Sequence, residues 1–407
     1  MKIVFEPTRT LDPLASNIGV TISANQSGLP PRPKTLIART DTSSVKDIDM
    51  ETLEPIGVTD QGKLHPDLKG PLSCAHAQFD HKTGDLYNYN LNFGASSTYR
   101  VFKSSLATGK TEILATIADR SIPAAYIHSF FLTEDFVILA VWCSHFANNG
   151  IKILWERNFV DAISPLDPKS RVKWLVVDRK QGRGLVTSFE SPAMFSFHTV
   201  NAWQERSSDN GESVDIYCDL IQYKSTDILH RFYYENLVST GPGVSKYTGE
   251  ARLNADFTRY RLANVPLGTA QDLKPKKLQK AEVVFEIPAF GELPTINPSF
   301  STKKEHFVYS AVDRGLSSFM DGIAKTNLDT KEATYWSEPR HTPGEPIFVA
   351  DETREGEDAG YILSVILDGD KGTSYLLCLD AKTMKEVGRA ECDVPVGFGF
   401  HGSHLPA

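Results

Sequence analysis

Apolar residues in this chain come in short, β-rich runs, and turn-forming residues close most of them within about a dozen positions. The runs include Ile3 to Phe5, Thr35 to Ala38, Tyr99 to Phe102, Phe136 to Trp142, Trp174 to Val177, Tyr361 to Leu367 and Tyr375 to Leu379. Segments this short pair as strands more readily than they form amphipathic helices, so the expected class is all-β. A loose phrase recurs between them: a polar or acidic residue, two or three turn formers, then a new strand. It occurs at Asp80 to Asp85, Leu106 to Lys110, Asp178 to Gly182, Asp329 to Glu332 and Asp380 to Lys385. Hairpins repeated at intervals of tens of residues favour a β-propeller over a β-sandwich.

A length of 407 residues allows two ordinary domains or one large β architecture. No Pro/Gly/Ser linker cuts the interval between His198 and His401, and Ser239 to Tyr247 and Gly268 to Lys277 read as surface loops. Residues 1–407 are therefore expected to form a single domain. The composition, 41% hydrophobic and 10% aromatic, excludes a disordered or collagen-like chain. The formal charge is -8 and no Lys/Arg run is long enough to track a phosphate backbone, which argues against nucleic acid as a partner. Five cysteines without C-x-x-C spacing suggest neither a disulfide framework nor a zinc ribbon, and point to a reducing compartment. Met1 to Ser16 lacks the pattern of a signal peptide, and no window approaches the roughly 18 apolar residues of a spanning helix. A cytoplasmic protein is expected, with contact at a membrane surface left open.

Eleven histidines occur, and seven of them, His65, His81, His145, His230, His306, His341 and His404, sit in polar or turn-rich surroundings that suit solvent-facing or capping roles. The other four are pressed between apolar, aromatic or small residues. His76 lies in Ser73 to Asp80, His128 in Tyr126 to Leu132, His198 in Phe195 to Ala202 and His401 in Val396 to Gly402. An imidazole in such a setting must be fully hydrogen-bonded or bind something. The four are spaced by 52, 70 and 203 residues, so they form no local motif. They meet only if separate blades converge on one axis. Four neutral imidazoles without thiolate or carboxylate suit a borderline ion such as Fe(II), although zinc and copper are not excluded on this ground. Imidazoles that bind metal need an acceptor on the second ring nitrogen. Glu292, Glu345 and Asp41 are carboxylates in apolar or strand-end settings that could serve.

These contexts, together with Phe197 to Ala202, Phe400 to Gly402, Glu345 to Val349 and Glu357 to Leu363, resemble the carotenoid cleavage oxygenases over residues 15 to 407. The resemblance implies a seven-bladed β-propeller with one axial non-haem Fe(2+) bound by His76, His128, His198 and His401. It also implies that Glu292, Glu345 and Asp41 orient three of those imidazoles. Asp41 stands where the family usually has Glu, and a side chain one methylene shorter is expected to reach its imidazole poorly or through water. The family's opening residues are not matched before Asn17, so an incomplete first blade is expected. The implied reaction is cleavage of a conjugated C=C bond of an apolar polyene by O2 into two carbonyl products. Stilbene cleavage, isomerohydrolysis of a retinoid ester and a catalytically disabled scaffold are the rivals. Stilbene cutters carry a lysine immediately before the acid at position 41, and Thr40 there favours a carotenoid or apocarotenoid, in the manner of the fungal torulene and apocarotenoid enzymes. Candidate tunnel residues are Val20, Thr40, Phe131, Trp142, Phe195 and Phe398. The segment from 150 to 160, apolar and aromatic with Lys152 and Arg157, has the composition of an interfacial membrane patch.

Overall fold

A computed structural model describes residues 17–24, 35–208, 212–249, 252–268 and 279–405. The strand expected at Ile3 to Phe5 and most of the loop expected over Gly268 to Lys277 lie outside the described residues. The chain folds as a β-propeller of consecutive antiparallel meanders. The first sheet contains β1 (Thr21–Ala24), β2 (Thr35–Arg39), β3 (Ser44–Asp49) and β4 (Pro55–Asp60). The second contains β5 (Gln78–Phe79), β6 (Leu86–Asn92), β7 (Thr98–Ser104) and β8 (Thr111–Ile117). The third runs through β9 (Phe131–Leu132), β10 (Phe136–Val141), β11 (Arg171–Asp178) and β12 (Leu185–Pro192). The fourth is built from β13 (Thr199–Arg206), β14 (Ser213–Gln222) and β15 (Asp256–Pro266). Beyond β15, the short β16 (Gln279–Lys280) crosses back to pair parallel with β12, and β17 (Glu282–Ile287) completes the fourth sheet. The fifth comprises β18 (Glu292–Thr295), β19 (Phe307–Val312), β20 (Gly322–Asn327) and β21 (Ala333–Trp336). In the sixth, β22 (His341–Pro343) and β23 (Ile347–Ala350) both pair with β24 (Gly360–Asp368), which continues to β25 (Thr373–Asp380) and β26 (Glu386–Cys392).

The expected turn phrases all fall at hairpins within sheets. Asp80 shows the mechanism: its carboxylate accepts from the Lys82 amide at 2.8 Å and its carbonyl from the Gly84 amide at 2.7 Å. Asp178 and Asp380 repeat the device toward Gln181 and Thr383. Short aspartates holding their own backbone two or three residues on are what allow a strand to reverse within so few positions.

Consecutive sheets touch in order, β8 against β11, β9 against β13, β13 against β18 and β20 against β22. A bridge between Thr42 and Leu72 joins the first sheet to the second, and the Ser403 hydroxyl donates to the Ile22 carbonyl at 2.8 Å. Sheets that pack face to face bury both sides of their strands, which is why β10 reads as an unbroken apolar run with every residue buried. Among the described residues there are six blades, not the seven that the family resemblance implies. The hydrophobic pattern sets no blade count, and the six meanders occupy residues 21–392.

Candidate metal centre

In a propeller the innermost strand of each blade lies nearest the axis, so residues at the starts of those strands are brought together however far apart they are in sequence. His76 lies two residues before β5, His128 three before β9, and His198 one before β13. His401 follows the last strand in an extended tail that returns to the axis. One ring nitrogen from each of the four lies within 4.8 Å of the others. The Nε2 of His401 is 3.1 Å from that of His76 and 3.3 Å from that of His198. Four Nε2 lone pairs aimed at one point form a set of neutral donors that fits a single metal ion.

The far sides of three rings are held by carboxylates. His128 Nδ1 lies 2.9 and 2.8 Å from the two oxygens of Asp41, His198 Nδ1 lies 2.5 Å from Glu292 Oε2, and His401 Nδ1 lies 2.9 Å from Glu345 Oε1. An Nδ1–H donated to a carboxylate leaves Nε2 unprotonated and facing the axis. Asp41 therefore reaches its imidazole directly, contrary to the expectation that the shorter side chain would fall short. The reason lies in the backbone: the Ser73 amide donates to the Asp41 carbonyl at 3.1 Å and the Ala75 amide to its side chain at 3.1 Å, drawing residue 41 inward. The Tyr126 hydroxyl donates to Asp41 Oδ2 at 2.8 Å.

Glu292 is aimed inward by a distorted strand start. Gly291 has φ +116, and a Cβ there would meet the Ala311 carbonyl at 2.5 Å. Leu293 also takes a positive φ of 53, and the pairing of β18 with β19 shifts register between Glu292 and Thr295. Bulges of this kind re-aim one side chain against the pleat.

Burial favours the uncharged form at two of the imidazoles, His76 and His401. Burial, reinforced by the neighbouring rings of His401, His128 and His198, holds His76 well below the usual imidazole range. His401 is lowered mainly by burial, opposed in part by Glu345. Burial pushes the Glu292 carboxyl up, but His198 and the Leu293 amide outweigh it and the net direction is down, so the group stays ionised as an acceptor. Burial, and then Asp41, raise Tyr126 well above the usual phenol range, which keeps it a donor.

The candidate tunnel residues divide. Phe131 and Trp142 lie in the interior of the third blade, with centroids 5.9 and 5.7 Å from Trp174, and belong to the core. Thr40 is buried beside a small void shared with Cys74, Asn88 and Phe102, and Val20 is half-buried with its amide on the Arg39 carbonyl at 2.8 Å. Phe195 and Phe398 instead join a string of aromatic rings: Phe398 to Phe400 at 5.0 Å, Phe400 to Phe232 at 5.5 Å, Phe232 to Phe197 at 5.8 Å, and Phe195 to Phe197 at 4.8 Å. Phe197 sits 5.7 Å from His128. Sequence reasoning missed Phe197 and Tyr126, although each stands two residues from a side chain it contacts, Phe195 at 4.8 Å between ring centres and His128 at 3.2 Å from the Tyr126 hydroxyl. His341 departs from the expectation for polar surroundings: it is buried on β22, with Nδ1 on the Pro339 carbonyl at 2.8 Å and Nε2 3.6 Å from Asp368.

A family model described as retinal pigment epithelial membrane protein matches residues 4–406. The chain is 47% identical over 387 residues to a carotenoid dioxygenase of Neurospora crassa, covering 93% of this chain and 63% of that protein. It is 42% identical over 430 residues to a torulene dioxygenase of Fusarium fujikuroi, covering 99% and 74%. The chain thus spans less than two thirds of the Neurospora relative's length. Among solved structures, a point mutant of the Synechocystis apocarotenoid oxygenase has a TM-score of 0.69 at 21% identity, covering 94% of this chain and 73% of that one.

Proposed function

The chain belongs to the carotenoid cleavage oxygenase family, and on that premise we propose that it is a non-haem iron dioxygenase that splits a conjugated C=C bond of a carotenoid or apocarotenoid. The observation that carries this reading is the convergence of four imidazole nitrogens within 4.8 Å, three of them backed by carboxylates. His76, His128, His198 and His401 would hold an Fe(2+) ion. When bound, that ion supplies the activation of O2 toward an electron-rich alkene. The protein's own residues do the rest. Asp41, Glu292 and Glu345 keep each proton on Nδ1 and so keep each Nε2 directed at the axis. Tyr126 neutralises part of the Asp41 charge by donating to it. The rings from Phe398 to Phe197 form an apolar wall that ends against His128 and shields that side of the cluster from water.

Both oxygen atoms of O2 end in products, one on each carbonyl carbon. Loading the purified protein with Fe(II) under argon and adding torulene under 18O2 should give two aldehydes, each carrying one 18O. A single alcohol labelled from water would instead indicate isomerohydrolysis, and no product from iron-loaded protein would leave a scaffold. Thr40 provides no amine for a phenol, which favours polyenes over stilbenes.

A polyene partitions into lipid, so the enzyme must collect it there, yet no helix among the described residues is long and apolar enough to cross a membrane. The segment 150–160 presents Ile151, Leu154 and Trp155 at 56%, 69% and 58% exposure. Ile153, by contrast, is 4% exposed and belongs to the core. The reading is a peripheral contact through these three side chains. Replacing all three with serine should weaken sedimentation with phosphatidylcholine vesicles by about tenfold or more, since each large apolar side chain contributes roughly 1.5–3 kcal/mol when buried. Unchanged sedimentation would remove the contact.

A further inference from the structure

Arg39 is 4% exposed, yet none of the acidic side chains among the described residues pairs with it. Its Nη1 donates to the Ser23 hydroxyl at 2.7 Å, while Nη2 is buried without a hydrogen-bond partner. A buried guanidinium with an unmet donor is costly unless something supplies an acceptor. The nearby carboxylates are committed elsewhere: Asp41 to His128, Tyr126 and the Ala75 amide, and Glu345 to His401 and the Gly402 amide.

Arg39 lines a half-open cleft of about 270 Å³ between the first sheet and the returning tail. The same cleft is bordered by His76 and His401, two of the four clustered histidines, and by Ile22, Ala75 and Phe79. The guanidinium carbon lies 5.6 Å from the centre of the Phe79 ring. The cleft thus brings together a cationic, oxygen-seeking group, an apolar wall and two of the clustered histidines.

We propose that this cleft binds a carboxylate-ended polyene, with the carboxylate on Arg39 and Ser23 and the chain running along Ile22, Ala75 and Phe79 toward His76 and His401. The inference deepens the oxygenase reading and rests on it for the claim that such an acid is a substrate. The acid-binding cleft itself stands on Arg39 alone. Burial lowers the Arg39 pKa to about 10, which still leaves it charged at neutral pH. A charged pair between guanidinium and carboxylate in so dry a place is among the stronger polar contacts available.

The test is the affinity of the iron-loaded protein for all-trans-retinoic acid relative to all-trans-retinol, measured by fluorescence quenching in wild type, Arg39→Met and Arg39→Lys. Wild type should bind the acid at least about tenfold tighter than the alcohol. Arg39→Met should bring that ratio to about one, and Arg39→Lys should keep part of it. The methionine variant should melt no lower than wild type, because it removes an uncompensated buried charge. Equal affinities for acid and alcohol in wild type, or an acid preference that survives Arg39→Met, would overturn the inference while leaving torulene cleavage intact as a separate readout. If the methionine variant does not fold, loss of the preference in Arg39→Ala, or its persistence there, decides the matter in the same way. An acid preference that depends on Arg39 in a protein unable to cleave any polyene would uphold the cleft and sink the oxygenase reading.

Discussion

Replacing His401 with alanine should abolish iron retention and lower polyene cleavage by about a thousandfold or more, with thermal stability nearly unchanged. The expectation follows from where this histidine sits. It belongs to no strand, and the tail around it, from 393 to 405, is largely exposed. Little core is lost with the ring. Its Nε2, however, is 3.1 and 3.3 Å from those of His76 and His198, so removing it opens one side of the donor set. Loss of an outer hydrogen-bonding partner alone typically costs 10–100-fold in metal affinity, and loss of a ligand costs more. Metal analysis after gel filtration, set beside a melting curve, separates the site from the fold. A variant that retains stoichiometric iron would show that the tail does not contribute a ligand.

The second large effect is expected at Asp41. Its carboxylate accepts from His128 Nδ1, the Tyr126 hydroxyl and the Ala75 amide, and so ties the first sheet to the second and to the strand start at His128. Alanine there leaves three donors without an acceptor in a mostly buried site. Breaking a buried charged network by removing one partner costs about 3–5 kcal/mol. Asp41→Ala should therefore lose much of the protein's stability to denaturant as well as its iron. Asp41→Asn preserves the shape but not the charge, and should fold while binding iron roughly 10–100-fold more weakly. If Asp41→Asn bound iron as well as wild type, the carboxylate would have no part in orienting His128.

Both expectations concern residues that were visible in the sequence, and the physical reasons for that differ. Strands were legible because blades that pack face to face demand continuous apolar runs, as in Phe136–Val141. The four histidines stood out because a polar ring in an apolar setting is unusual in itself. The number of blades could not be read, since each meander repeats the same local phrase and nothing local counts the repeats. The reach of Asp41 depends on amides contributed by residues 73 and 75, over thirty positions away, which no reading of its own neighbours could supply. The same limit separated the tunnel candidates. Phe131, Trp142, Phe195 and Phe398 look alike in sequence, but only Phe195 and Phe398 join the rings that lead to His128. In the segment 150–160 a single turn of helix at Ile153–Glu156 turns Ile153 inward and leaves Leu154 and Trp155 outside. Arg39 was passed over altogether, because a strand arginine signals nothing until its partners are counted.

The central claim is that His76, His128, His198 and His401 jointly bind one iron. X-ray absorption at the iron edge of anaerobically loaded protein tests it most directly. The account predicts one iron per chain with four imidazole nitrogens as the protein's ligands and no carboxylate bound to the metal. A shell with two or fewer imidazoles, or one in which Glu292 or Glu345 supplies an oxygen ligand, would contradict it.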